Sequence, residues 1–143
     1  MSKYNSYKVA FNLRTDKTVS VEYARNNLDS RDRIIFDSKL EFTVYQKLRN
    51  FFSPSQIECH KHILISPKSA FFPATHWCCD FVVNTRHLSD KTPNIIVEAK
   101  GIVTRDFKYQ LQLLGTNFPA RLRDLVIVVL ILWEKQPKKR LLR

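Results

Sequence analysis

The 143-residue chain contains little glycine, little cysteine and no long apolar run. Two glycines are too few for the Gly-rich loops that cradle phosphates, so that class of nucleotide site is excluded. Three cysteines, two of them adjacent at Cys78 and Cys79, make a poor disulfide framework. No apolar stretch reaches the roughly 18 residues that cross a bilayer, and the first residues lack the apolar segment of a secretory signal. We therefore expect an intracellular protein with no membrane partner.

Acidic residues are also scarce. The chain has 13 of them against 24 lysines and arginines, which gives a formal net charge of +11. Such a field concentrates polyanions near the surface, so nucleic acid is the leading partner. A basic protein whose charge serves only solubility is the alternative. Hydrophobic residues make up 44% of the chain, which is enough for the core of one compact domain.

The first residues alternate between apolar and polar types. Segments 7–13 and 19–23 alternate on either side of a polar turn at 14–17, which predicts a β-hairpin with one buried face. Residues 25–33 are polar and predict a connector. A lone hairpin is marginally stable in water. Its apolar face must therefore pack against the rest of the chain or against a second subunit.

The remainder predicts an α/β fold, with a central mixed β-sheet flanked by helices and an N-terminal β-hairpin arm. Ser38 begins a first helix, with Glu41 in the capping-box position, and Thr104 begins a second that Gly115 would end. Apolar runs predict four strands, at 56–65, 77–83, 94–99 and 125–132. The predicted divisions are an arm and connector at 1–36, a body at 37–134 and a basic tail at 135–143.

Two carboxylates and a lysine stand at the ends of neighbouring predicted strands. Asp80 and Glu98 lie on consecutive strands, joined by a loop of the right length for an antiparallel pair. Magnesium prefers such oxygen ligands, and the carbonyl of Ala99 would supply a third. Strand alternation puts Lys100 on the same face as Glu98, where its amine can assist an attacking water. Glu41 completes this site or supports a second metal ion.

These residues resemble a known nuclease pattern. Asp80 followed by Glu98-Ala99-Lys100, with Glu41 on a preceding helix, is similar to the PD-(D/E)XK superfamily. Segments 38–41, 73–81 and 97–101 resemble the bacteriophage endonuclease I family of Holliday-junction resolvases, and homing and transposase endonucleases share the same skeleton. Cys79 stands where the motif has proline, and the proline ligates nothing.

The resemblance implies a restriction-endonuclease-like core and a magnesium-dependent endonuclease, with Mn²⁺ as a substitute ion, acting on DNA as a homodimer or higher homo-oligomer. Its catalytic residues would be Glu41, Asp80, Glu98 and Lys100. Asp80, Glu98 and the Ala99 carbonyl would hold the metal. This function implies an intracellular location, which would be the cytoplasm, the nucleoid or a host cell infected by phage.

Several basic and polar side chains are candidates for DNA contact. Arg14 and Lys17 lie at the hairpin tip, where a two-stranded ribbon fits the major groove and Arg14 or Asn12 can read base edges. Arg105, Lys108 and Gln112 lie on the helix after Lys100 and would contact the scissile strand. Base reading favours a site-specific homing or transposition enzyme, whereas use of the arm for dimerisation favours a resolvase. A non-catalytic nucleic-acid-binding protein is the third reading.

Each signal also has a plainer interpretation. Glu41 is compatible with a purely capping role, and Asp80 with an exposed strand end. The chain also has residue types that bind zinc, but their spacing is poor for a zinc site: Cys59, His60, His62, His76, Cys78 and Cys79. Trp77 and Trp133 are expected in the core, with base stacking as the alternative.

Overall fold

The computed structural model describes residues 7–85, 94–100, 103–120 and 125–131. The predicted basic tail at 135–143 and Trp133 lie outside the described residues. The described part is mixed α/β, with two separate sheets and three α-helices. None of the helices described is both long and apolar enough to cross a membrane.

The N-terminal residues form a small antiparallel sheet. Its strands are β1 (Val9–Asn12), β2 (Lys17–Val19) and β3 (Arg33–Phe36), in the spatial order β2-β1-β3. The pairing of β1 with β2 confirms the predicted β-hairpin, with Asn12 paired to Lys17. The third strand was not predicted, because it lies at the end of the presumed connector and depends on distant pairing with β1.

The second hairpin strand is shorter than predicted. Val21 and Tyr23 were expected to continue it, but both lie in helix α1 (Val21–Asn27). Ser20 begins this helix, because its Oγ accepts a hydrogen bond from the Tyr23 N–H at 3.1 Å. The segment has only three apolar residues at alternate positions, Val19, Val21 and Tyr23, which is too few to distinguish the repeat of a strand from that of a helix.

The second sheet contains four strands in chain order. They are β4 (Ile57–Ser66), β5 (Thr75–Val83), β6 (Asn94–Lys100) and β7 (Leu125–Ile131). The first three are antiparallel, and β6 and β7 are parallel, so the predicted mixed sheet is confirmed. A parallel pair needs a crossover connection. Helix α3 (Arg105–Asn117) provides it, with Thr104 as its N-cap. Gly115 lies inside α3, so its predicted role as the stop was wrong.

The helices pack against the strands and form two hydrophobic clusters with them. Helix α2 (Lys39–Leu48) packs with the N-terminal sheet and the ends of β5 and β6. Within this cluster the Phe36 ring lies 5.1 Å from that of Tyr45 and 6.3 Å from that of Phe81. Helix α3 packs in the other cluster, where Phe107 contacts Trp77 edge-on at 5.7 Å. The N-terminal sheet is thus joined to the body through a shared core. Its role as a dimerisation or DNA-contact arm stays a prediction.

Candidate active site

Asp80 and Glu98 face each other across the antiparallel strands β5 and β6. The register pairs Phe81 with Val97, so the next residues, Asp80 and Glu98, stand opposite one another. The two carboxylates here accept hydrogen bonds from the facing backbone. Glu98 Oε2 accepts from the Asp80 N–H at 3.0 Å, and Asp80 Oδ2 accepts from the Ala99 N–H at 2.7 Å. The structure thus brings together the two carboxylates that the sequence predicted as a pair.

Both carboxylates are shielded from water, Glu98 almost completely, with 1% of its surface exposed. Burial and the neighbouring Glu98 charge raise the pKa of Asp80 to about 6, and the Glu41 charge acts in the same direction. The hydrogen bond from the Ala99 N–H and the charge of Lys100 oppose this rise in pKa. Two partly desolvated carboxylates that repel each other make a site that a cation would stabilise.

The Lys100 ammonium lies beside this pair. Its Nζ is 2.6 Å from Glu98 Oε1 and 5.7 Å from the centre of the Phe107 ring in α3. Burial acts to lower the pKa of Lys100, but the hydrogen bond to Glu98 and the charges of Glu98, Asp80 and Glu41 outweigh it, so the pKa is raised. The amine is therefore protonated at neutral pH. Its closeness to Glu98, which strand alternation predicted, is confirmed.

Glu41 caps helix α2 and also acts on Asp80 through its charge. Its backbone N–H donates to Ser38 Oγ at 3.1 Å, and its carboxylate accepts from the Asp37 N–H at 3.0 Å and the Ser38 hydroxyl at 3.3 Å. Only 9% of Glu41 is exposed. The capping role is therefore real, and it coexists with an electrostatic effect on the pKa of Asp80. Its role as a metal ligand stays a prediction.

Asp37, Glu41 and His60 form a cluster that sequence reasoning missed. Each offers one ligand atom, and these atoms lie within 4.8 Å of one another. His60 Nε2 is 3.3 Å from Glu41 Oε2. This hydrogen bond raises the pKa of His60; burial opposes the rise, and the charges of Glu41, Asp37 and Asp80 support it. Asp37 also pairs with Lys8 Nζ at 2.8 Å.

The backbone of His60 is in the left-handed region. Its φ is 53°, which for a non-glycine residue costs about 1–3 kcal/mol. The flanking register, Cys59 with Phe81 and Lys61 with Cys79, puts His60 opposite Asp80. No local sequence pattern could have revealed the cluster, because His60 and Glu41 are 19 positions apart and meet only through tertiary packing.

The zinc alternative receives no support from the cysteines. Burial, with a smaller effect of Glu41, raises the pKa of Cys59 to about 12. Burial and the Glu98 charge likewise raise the pKa of Cys79 to about 12. Thiols with such pKa values stay protonated at neutral pH when no metal ion is bound. Among the residues that the structure describes, the cluster with metal-ligand spacing contains no cysteine.

The hairpin tip presents its basic residues but not Asn12. Arg14 and Lys17 are exposed, and Arg14 forms an ion pair with Asp32 at 2.7 Å. Asn12 is buried, and its Oδ1 accepts hydrogen bonds from the N–H groups of Arg14 and Thr15 at 2.9 and 3.3 Å. Asn12 therefore holds the turn together and is not available to read bases, contrary to the hypothesis.

Helix α3 carries the remaining candidates for DNA contact. Arg105, Lys108 and Gln112 are all exposed, and their spacing puts them on neighbouring parts of one helix surface. Phe107, on the buried face of the same helix, lies against the Lys100 amine. Helix α3 therefore flanks the carboxylate pair with one face and carries these polar side chains on its exposed surface.

Comparison with known proteins gives no relative to set beside this geometry: no family model, no curated protein and no solved structure matches the chain. The interpretation of the site depends on its own residues.

Proposed function

We propose that the chain is a magnesium-dependent DNA endonuclease with the site arrangement of the PD-(D/E)XK superfamily, preferring branched DNA as the bacteriophage endonuclease I family does. The observation that supports this most is the convergence of a buried carboxylate, a half-buried carboxylate that repels it and a protonated amine where β5 and β6 pair: Glu98, Asp80 and Lys100. The net charge of +11 supports a polyanionic substrate.

The donor set fits magnesium. Asp80, Glu98 and the carbonyl of Ala99 offer oxygen atoms, which Mg²⁺ and Mn²⁺ both accept. A cation would also offset the burial and the repulsion by Glu98 that together raise the pKa of Asp80. Bound there, the ion would supply a Lewis acid that polarises the phosphoryl oxygen and balances charge on the leaving oxygen. Glu41, with Asp37 and His60, would hold a second cation.

We infer that Lys100 acts as a donor. Without a bound metal ion its raised pKa keeps the amine protonated at neutral pH, and a protonated amine cannot remove a proton from water. It can orient the attacking water by donating a hydrogen bond and can stabilise charge that develops on the phosphate. Glu98, 2.6 Å away, fixes the position of the amine.

The substrate would lie across the polar surface of α3 and the hairpin tip. Arg105, Lys108 and Gln112 would contact the scissile strand, and Arg14 and Lys17 would bind phosphates further along the DNA. Such contacts position a protein without reading sequence and weaken as salt increases. A homodimer would bring two such sites to a branched substrate. A purely binding protein is disfavoured, because the carboxylates of Asp80 and Glu98 would repel DNA without performing any task.

The deciding experiment measures nicking of supercoiled plasmid in Mg²⁺ and in EDTA. We expect wild-type cleavage in Mg²⁺ alone, at least about 100-fold slower cleavage by Asp80→Ala and Lys100→Ala, and unchanged DNA affinity in both variants. Lys47→Ala, which removes an exposed lysine at the end of α2, is the matched control and should cut normally. Equal cutting by the wild type and the site variants would refute the proposal.

A second assay separates the two endonuclease readings. It offers a four-way junction, a random duplex and a genomic library in Mg²⁺. We expect cleavage of the junction at many sequences. Selective cleavage of one duplex sequence would instead support a homing or transposition enzyme with the same catalytic residues.

A further inference from the structure

Two phenylalanines project from the loop between β4 and β5 with almost no burial. Phe71 is 89% exposed and Phe72 is 73% exposed. Single exposed apolar residues are common and need no explanation. Two adjacent aromatic rings at the end of a long β-hairpin are different, because together they make one exposed apolar patch. Their position needs a reason outside the described fold.

The loop holds these rings in a defined turn. The Phe72 carbonyl accepts a hydrogen bond from the Ser69 N–H at 2.9 Å. Ser69 Oγ accepts in return from the N–H groups of Phe72 and Phe71, at 3.1 and 3.4 Å. Pro67 and Pro73 flank the turn and restrict its backbone further. A preordered turn loses little entropy when it binds a partner.

The surroundings of the loop select an anionic partner. Residues 59–79 contain no aspartate or glutamate, but they include Lys61, Lys68 and three histidines. Lys68, His62 and His76 are exposed, and Lys61, also exposed, forms an ion pair with Glu58 at 2.7 Å. A second copy docked on this loop would bring the same basic side chains against it, and these would repel each other. At this loop, charge complementarity therefore favours nucleic acid over a second copy.

The hairpin connects the loop directly to the carboxylate pair. On β5 the exposed residues His76 and Cys78 alternate with the buried residues Trp77 and Cys79, and the strand then reaches Asp80. Strand alternation puts the exposed Cys78 on the same face of β5 as Asp80, so this exposed surface adjoins the site. Five residues of strand span about 17 Å.

We propose that Phe71 and Phe72 stack on nucleobases of the DNA substrate, roughly five to seven nucleotides from the cleaved phosphate. A DNA strand advances about 3.4 Å per nucleotide, so a 17 Å strand plus its loop spans that distance. Aromatic side chains stack on unpaired bases or wedge between base steps without sequence preference. A junction or distorted duplex offers such bases. This inference rests on the proposed function, and it adds the feature of the substrate that the protein recognises.

The experiment uses the full chain, in EDTA, with a four-way junction carrying 2-aminopurine at successive positions. We expect wild type to change 2-aminopurine fluorescence in one narrow window. Phe71→Ala/Phe72→Ala should lose that change and bind about tenfold more weakly or worse. Phe51→Ala, which removes another ring that is 81% exposed, should behave as wild type. Unchanged circular dichroism would show that the double variant folds.

The outcomes are separable from those of the nicking assay. Equal affinity and fluorescence for the double variant and wild type would overturn the inference, even if plasmid cleavage is normal. A double variant that changes only the subunit number in light scattering would also overturn it, because the loop would then bind a second copy. If the change in 2-aminopurine fluorescence requires the two rings but the protein never cuts DNA, the inference is supported and the endonuclease assignment is refuted.

Discussion

Replacing Asp80 by asparagine should stabilise the protein in EDTA. The native carboxylate is forced to ionise near Glu98 in a partly dry environment, which raises its pKa from 3.8 to about 6. Asparagine keeps an oxygen that can accept from the Ala99 N–H, at 2.7 Å in the wild type, but carries no charge. The substitution therefore removes the repulsion and keeps the hydrogen bond. Most substitutions at structural positions do the opposite.

The magnitude follows from proton linkage. Between pH values of about 4 and 6 the folded state binds more protons at Asp80 than the unfolded state does, so the free energy of unfolding falls as pH rises through this window. A shift of about two pKa units corresponds to ~3 kcal/mol. Because Asp80 stays partly open to water, screening reduces the effect to about 1 kcal/mol. This predicts a Tm about 3 °C higher for Asp80→Asn at pH 7.

Thermal unfolding at pH 4 and pH 7, in EDTA and in Mg²⁺, tests the reasoning. Wild type should gain stability on adding Mg²⁺, by about 1.4 kcal/mol at ten times the dissociation constant, and Asp80→Asn should gain almost nothing. Asp29→Asn, at an exposed position, is the control and should leave both responses intact. A less stable Asp80→Asn protein in EDTA at pH 7 would show that the carboxylate serves the fold and not a cation.

Two further predictions concern the elements that support the site. Glu41→Ala removes the carboxylate that accepts from the Asp37 N–H and the Ser38 hydroxyl, and it should lower the free energy of unfolding, measured in urea, by about 1 kcal/mol. Glu41→Gln keeps an acceptor and should lose less than half of that. Equal losses in the two variants would contradict the capping role. Phe36→Ala empties a fully buried ring position and should cost about 3–5 kcal/mol, against under 0.5 for the exposed control Phe51→Ala; a loss below 1 kcal/mol would disprove its place in the core.

The sequence predicted the main sheet and the carboxylate pair because both depend on local patterns. Apolar runs identified β4 to β7, and Ser38 and Thr104 correctly predicted the starts of α2 and α3. The prediction that Asp80 lies beside Glu98 follows from two consecutive antiparallel strands with a short connection. Strand alternation then gave Lys100, whose amine lies 2.6 Å from Glu98.

The features that the sequence did not predict depend on distant contacts or on backbone geometry. Strand β3 exists because Ile34 pairs with Phe11 of β1, far away in the chain. His60 meets Glu41 only after β4 packs beside α2, and its positive φ has no marker in the sequence. Gly115 continues a helix that a glycine commonly ends, because Leu114 and its neighbours pack against the sheet.

The hydrogen bonds between side chains and backbone at Asp80 and Glu98 make two amide protons into reporters of the site. The Asp80 N–H donates to Glu98, and the Ala99 N–H donates to Asp80. A change in the charge or position of either carboxylate must alter the partner of one of these amides. Their chemical shifts and exchange rates would therefore follow proton or ion uptake directly, without any assay of DNA cutting.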